Sequence, residues 1–261
     1  MRASLSTAIK VPNQYLNSDR WVMQQKMDGW RVLVKTGEQT KCLNRDGDPL
    51  NEIPLSKLGI FAKMSTEWLF DCEYIDGEFY VFDVLEIPTG DIKNFPLRKR
   101  LELLDNLSEK FAPPIYKVPS FYGEDKLRVF QELKGGNKEG VVFKDLDAPY
   151  EEGRNKSTLK FKFTKHVDCI IIDRNIDDKD NFALGMFNGS EITEVGHCSA
   201  LTGDGPKINI GDVVQVNILY ATESGRLYQP VKPRIRIDKS PQDCTLDQLK
   251  DLLPDRTVVT L

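Results

Sequence analysis

No apolar stretch in this 261-residue chain approaches the roughly 20 positions that a membrane-spanning helix needs. The start, Met1 to Lys10, has no apolar core of the kind a secretory signal requires. The sequence therefore predicts a cytoplasmic protein with no membrane partner, in a bacterial cell or in the host cell if its source is viral. Only five cysteines occur (Cys42, Cys72, Cys169, Cys198, Cys244), and none forms a C-x-x-C pair. That pattern argues against a disulfide framework or a zinc ribbon and predicts reduced, mostly buried thiols. The two histidines, His166 and His197, have no Ser or Cys partner arrangement around them and receive no catalytic role. Internal repeats, low-complexity tracts and net positive charge are also missing. The formal charge of -4 weighs mildly against a polyanionic partner, because phosphate binding is driven by Lys and Arg displacing counterions.

What is present is enough apolar residue, 40%, to fill real cores in one large domain or two modest ones. A local basic stretch also survives the acidic balance: Tyr220 to Lys239 holds Arg226, Lys232, Arg234, Arg236 and Lys239 against Glu223 and Asp238. Three Asp-Gly pairs, Asp28-Gly29, Asp46-Gly47 and Asp76-Gly77, lie between or beside alternating apolar runs, a hairpin signal. The third is the clearest, with arms Trp68 to Ile75 and Glu78 to Leu85. The spacing of Leu97, Leu101, Leu104 and Leu107 predicts a helix over 97–107, and a second is expected over Glu124 to Leu133, ended by Gly135-Gly136. From Val167 onward the pattern changes to short strands: Val167 to Asp173, Phe182 to Phe187, Glu191 to Val195, Asp212 to Tyr220 and Leu227 to Ile237. Five short strands with Gly turns suggest a small barrel of OB type, with a polar joint at Lys162 to His166.

Several segments look chemical. Lys26-Met27-Asp28-Gly29-Trp30-Arg31 places a lysine at the end of one strand, a glycine turn, and an arginine at the start of the next. An ordinary hairpin with a solvated Lys and Arg gives the same pattern. Asp71 and Glu73, spaced i, i+2 in an apolar strand, project from one face of a sheet. They suit either a solvent-facing edge or a hard cation such as Mg²⁺, which bridges carboxylates to substrate phosphates. Lys160 and Lys162 repeat that arrangement with opposite sign and suit phosphates, although a plain amphipathic strand looks identical. Glu139 opens Glu139-Gly140-Val141-Val142-Phe143-Lys144 after a Gly-rich turn and adds a third carboxylate.

Taken in order, these segments resemble the motif set of the covalent nucleotidyltransferases: DNA ligases, RNA ligases and mRNA capping enzymes. The match runs through K-x-D-G-x-R at Lys26, Asp71-Cys72-Glu73, Val81-Phe82-Asp83, Glu139-Gly140 and Leu159-Lys160-Phe161-Lys162. It continues in Gly211-Asp212-Val213-Val214, Ser224-Gly225-Arg226-Leu227 and the run Pro233 to Pro241, which looks like the R-x-D-K motif of ligase OB domains. The resemblance implies an α+β protein: an antiparallel-sheet, ATP-grasp-like nucleotidyltransferase domain over 1–163, then an OB-fold β-barrel over 164–261. It implies an ATP-dependent DNA ligase of minimal two-domain type, using ATP with Mg²⁺ or Mn²⁺ and acting as a monomer on nicked double-stranded DNA in repair, replication or recombination.

In that reading Lys26 is the nucleophile. A lysine of ordinary pKa, about 10.4, is neutral only about 0.04% of the time at pH 7, so something must depress it. By similarity, Glu73 binds ribose or metal, Asp71 and Glu139 help hold the metal, and Lys160 and Lys162 hold the α-phosphate. Phe82 stacks on adenine, or else is a core aromatic alternating with Tyr80. Gln24 touches the adenine edge, where many ligases carry Glu. Arg31 also belongs to the nucleotide site, and Arg31 and Arg45 bind DNA phosphates. Arg236, Asp238 and Lys239 orient pyrophosphate and then swing away about a hinge near Lys162 to His166. Capping guanylyltransferases and RNA ligases are the rivals within the superfamily, and a non-catalytic OB-fold nucleic-acid-binding protein is the rival from another class. The C-terminal run favours ligase over capping enzyme; Trp30 and Arg31 point away from RNA ligase, and the intact motif set argues against a simple binder. With 25 residues before Lys26, only Thr245 to Leu261 after the barrel and no long clasp between Glu191–Val195 and Asp212–Tyr220, weak or salt-sensitive DNA binding is expected.

Overall fold

The computed structural model describes residues 1–175, 181–199, 208–255 and 257–259. They divide into a first unit of residues 1–135 and 140–161 with the described tail residues, and a second of 136–139 and 162–255. The chain thus passes to the second unit after Phe161, and its tail returns to the first.

In chain order the first unit contains β1 (Ser4–Ala8), α1 (Asn13–Leu16), β2 (Trp21–Gln25), β3 (Trp30–Lys35), β4 (Lys41–Leu43), β5 (Leu69–Ile75) and β6 (Glu78–Ile87). There follow β7 (Gly90–Asp91), α2 (Leu97–Ser108), β8 (Ile115–Lys117), β9 (Ser120–Phe121), α3 (Asp125–Gly135), β10 (Gly140–Asp145) and β11 (Gly153–Lys162). Two mostly antiparallel sheets result, one in the order β1-β11-β10-β2-β9 and one in the order β4-β3-β5-β6-β7 with β8 beside β6. The expected hairpin is present. Asp76 and Gly77 both have positive φ, 50° and 99°, as a two-residue turn matched to strand twist requires. The Leu97/Leu101/Leu104 stripe makes α2 amphipathic, and it buries that stripe on a core with Phe61, Phe70 and Phe79.

Asp28-Gly29 departs from the expectation. It joins β2 to β3, strands of different sheets, so it is a crossover between sheets and not a hairpin. The reason lies in hydrogen bonding: β2 is already flanked by β10 and β9, and the Lys26 N–H donates to Gly140 O at 2.9 Å.

The second unit is one five-stranded antiparallel sheet of β12 (Lys165–Asn175), β13 (Asn181–Asn188), β14 (Glu191–Ser199), β15 (Val213–Ile218) and β16 (Val231–Ile235). Its order is β14-β13-β12-β15-β16. The first strand pairs with the second and the fourth, and Leu227 N–H donates to Val195 O at 2.7 Å, bringing the chain before β16 against the β14 edge. That is the connectivity of the OB barrel read from the strand spacing. The core holds Cys169 and Cys198 among Val, Ile and Leu, and all five cysteines are free and buried. The clasp expectation falls in part on residues 200–207, outside the described residues. Among the described residues no helix is long and apolar enough to cross a membrane.

Candidate active site

A pocket in the first unit gathers residues from seven strands, from α2 and from the segment between β10 and β11. Gln24 and Gln25 end β2, and Lys26 and Met27 follow at once. Arg31 comes from β3, Asp71 and Glu73 from β5, Phe82 and Asp83 from β6, Lys144 from β10, and Tyr150 from the segment before β11. Six residues singled out from sequence therefore share one pocket: Gln24, Lys26, Arg31, Asp71, Glu73 and Phe82.

Lys26 is half-buried, with Nζ 3.4 Å from Met27 O. Gly29 allows the turn to press on β5, because a Cβ at that position would strike the Tyr74 carbonyl oxygen and Ile75. The Gly29 N–H donates to Glu73 Oε1 at 3.1 Å, tying the turn to the expected ribose or metal carboxylate. Gln24 is buried and donates from Nε2 to Ser120 Oγ at 2.9 Å, which fixes its carboxamide at the pocket wall.

Asp71 lies deeper than a solvent-facing edge would place it. It is fully buried and takes the Arg31 guanidinium as a bidentate partner, with Nη2 2.6 Å from Oδ2, while Tyr150 Oη donates to Oδ2 at 2.6 Å. Both of its oxygens are engaged in orienting Arg31 and Tyr150, which makes it the internal counterion of Arg31. Arg31 is correspondingly turned toward the pocket, 4.4 Å from the centre of the Phe82 ring. Tyr150 is held well above the ordinary tyrosine range by burial and by Asp71.

Phe82 lines the pocket and also joins an apolar cluster with Met27, Ile75, Tyr80 and Val118. A second cation meets it: Lys144 Nζ lies 4.4 Å from the ring centre and donates to Phe82 O at 3.2 Å. Lys144, Asp83, Arg100 and Tyr150 were missed as site residues. The sequence did carry a signal, a lysine inside the apolar run Val141 to Asp145 and an aspartate beside Phe82. Asp83 is buried and doubly bound by Arg100, at 2.9 and 3.0 Å. Burial lowers the Lys144 pKa to about 8, with Asp83 opposing the shift. For a lysine whose folded pKa lies below its unfolded value, the unfolded chain holds the extra proton between those two values, so stability rises with pH across that window. Wild type should therefore gain resistance to urea between pH 8 and about 10 relative to Lys144→Met; equal pH slopes for the two proteins would refute this.

Other expected residues lie elsewhere. Lys160 stays on β11 in the first unit, half-buried, its carbonyl accepting from Ile9 N at 3.0 Å, and it is not among the pocket-lining residues. Arg45 projects from an exposed turn and pairs with Asp46 at 3.4 Å, in keeping with a solvated turn residue. Glu139 and Lys162 belong to the second unit, where they form an ion pair at 3.1 Å and Lys162 also donates to Gln229 at 3.1 Å. Within the barrel, Arg236 is bound by Asp238 through Nε (2.8 Å) and Nη2 (2.7 Å) and by Asp168 through Nη1 (3.0 Å). The hydrogen bonds from Arg236 hold the Asp238 carboxyl down at about 2. Lys239 is exposed. The expected basic stretch is partly neutralised, since Arg226 also pairs with Glu194 at 3.1 Å.

Among the described residues no group of three or more His, Cys, Asp or Glu side chains is placed to hold a metal. A hard cation can also be shared by one or two carboxylates with substrate phosphates and water; Glu73 lines the pocket, whereas Glu139 belongs to the second unit.

Comparison with known proteins adds to this picture. Residues 72–162 match the family described as ATP dependent DNA ligase domain. A probable DNA ligase of Kineococcus radiotolerans is 37% identical over 98 residues, 36% of this chain and 18% of that protein. A DNA ligase of Methanopyrus kandleri is 31% identical over 109 residues, 40% of this chain and 17% of that protein. The matched stretch thus spans about a fifth of these relatives. Among solved structures, one titled for Lig E DNA ligases superposes with a TM-score of 0.65, covering 90% of this chain and 100% of that one at 16% identity. The ligase domain of LigD from M. tuberculosis gives 0.58, covering 94% and 97% at 17% identity. At those identities the agreement concerns fold: a sheet domain followed by an OB barrel.

Proposed function

We propose that this chain, whose residues 72–162 match the ATP dependent DNA ligase domain family, is an ATP-dependent DNA ligase that seals nicks through a covalent lysyl-adenylate on Lys26. The observation that carries the reading is the convergence of Lys26, Arg31, Glu73 and Phe82 on one pocket, each on the element the motif order calls for. Lys26 Nζ attacks the α-phosphorus of ATP, forming a P–N bond and releasing pyrophosphate. The AMP then moves to a DNA 5′-phosphate, freeing the lysine. Finally the 3′-hydroxyl attacks that activated phosphate, closing the strand and expelling AMP.

Each step builds negative charge at phosphorus, and fixed cations that meet it are the main contribution a protein can make. Arg31, aimed by Asp71, and Lys144 supply such charge in this pocket. Phe82 offers its ring to the purine, Gln24 its carboxamide edge, and Glu73 a ribose contact. Mg²⁺ or Mn²⁺ bound by Glu73 or Glu139 would withdraw charge from the phosphates. Lys160 and Lys162 are assigned to the α-phosphate, Arg45 to DNA, and Arg236, Asp238 and Lys239 to pyrophosphate. A monomeric, cytoplasmic enzyme is part of the same reading.

The test is closure of an end-labelled nicked duplex. ATP should support sealing and GTP should not; sealing confined to nicked RNA would favour the RNA ligase reading, and GTP use the capping reading. Nick binding carried by Lys and Arg contacts to phosphates releases counterions and should fall steeply between about 50 and 200 mM salt. Filter-binding affinities that do not change over that range would contradict it.

A further inference from the structure

The chain's C-terminal segment returns from the second unit to the first, where it binds Gln25, the residue before Lys26, and packs on the cluster that contains Met27, the residue after it. Gln25, which is 5% exposed, uses both ends of its carboxamide on this segment. Its Nε2 donates to Thr257 O at 2.8 Å, and its Oε1 accepts from Val259 N at 3.0 Å. In an extended chain the carbonyl of one residue and the N–H two residues on face the same way, so one side chain here does what a residue of an adjacent strand would do. Between those bonds, Val258 packs on the apolar cluster of Met27, Ile75, Tyr80, Phe82 and Val118. Gln25 precedes Lys26 and Met27 follows it, while Phe82 forms the ring wall of the pocket.

We propose that Thr257–Val259 is a strap that positions Lys26 and the Phe82 wall for attack on the nucleotide, with Gln25 and Val258 as its positioning residues. The proposal rests on the reading of Lys26 as the nucleophile. Gln25 alone would be a poor anchor, because a buried carboxamide needs partners for both its donor and its acceptor. The tail supplies both and holds the backbone on which Lys26 sits. Val258 adds packing to the cluster that holds Met27. A reacting atom displaced by about 1 Å loses on the order of a hundredfold in rate, so a loosened β2 end should be visible in the lysine step.

The test uses the full chain with Val258→Asp, which places a charge in the apolar cluster, and with Val259→Pro, which deletes the N–H that Gln25 accepts. Both sites lie on a peripheral segment, and melting temperatures are recorded for each. Transfer of label from α-labelled ATP to the protein should slow by about ten- to a hundredfold. A fluorescent peptide of the sequence 254–261 should bind Val258→Asp and restore its rate, and should bind wild type far more weakly because the native tail occupies the groove. The same peptide carrying Val258→Asp should do neither. Wild-type labelling rates in both variants, or absence of peptide binding and rescue, would overturn the proposal. If wild type itself takes no label, the ligase reading fails, and peptide binding still decides whether the segment docks.

Discussion

Lys26→Ala should lose ATP-dependent nick sealing by at least about 10⁴-fold, yet still close a nick whose 5′-phosphate already carries AMP. The contrast follows from the chemistry of the three steps. The first needs an amine to take the α-phosphorus, the second needs that amine to give it up, and the third needs only the 3′-hydroxyl, a bound AMP leaving group and the surrounding cations. Arg31 remains fixed by Asp71, and Lys144 remains against Phe82, whatever occupies position 26. The variant should therefore keep the pocket that holds adenylylated DNA. Gel analysis of the two substrates side by side measures the difference. Equal loss on both would mean that Lys26 serves the structure of the pocket, and equal retention would remove it from the chemistry.

The second large effect is on stability. Arg100 and Asp83 are each almost fully buried, with side chains 3% and 4% exposed, and meet through two hydrogen bonds. Arg100 lies in the first turn of α2, where the helix dipole disfavours a cation, so its place there depends on Asp83. Arg100→Ala leaves a buried carboxylate without its counterion and should cost about 3–5 kcal/mol, whereas Arg100→Met with Asp83→Leu should cost much less because no charge is stranded. Urea denaturation of the single and double variants gives the comparison. A single-variant loss below about 1 kcal/mol, or a double loss equal to the sum of both singles, would contradict the buried-pair account.

The architecture was legible where periodicity and turn chemistry act locally. The Asp76-Gly77 hairpin, the leucine stripe of α2 and the five barrel strands each follow from spacing within about a dozen residues. Motif order brought Gln24, Lys26, Arg31, Glu73 and Phe82 to one pocket because each sits on, or directly after, a strand whose alternation was readable. What escaped depends on contacts far apart in the chain. The partners of Asp71 include Tyr150, 79 residues away, which no local pattern could name. Lys144 gave only the signal of a charge in an apolar run, and its ring contact exists because β10 and β6 approach through the packing of two sheets. Asp28-Gly29 has the sequence of a hairpin turn, but the neighbours of β2 had already been taken by β9 and β10. The tail has no periodic signal at all, since its anchor is one glutamine more than 230 residues earlier.

The central claim is that Lys26 becomes covalently joined to AMP. Protein pretreated with pyrophosphate to remove any bound adenylate, then mixed with Mg²⁺ and α-labelled ATP or GTP, is separated by denaturing electrophoresis beside Lys26→Ala. The account predicts label from ATP alone, stable to denaturation and absent from the variant. Label from GTP, label that persists in Lys26→Ala, or no label from either nucleotide would contradict it.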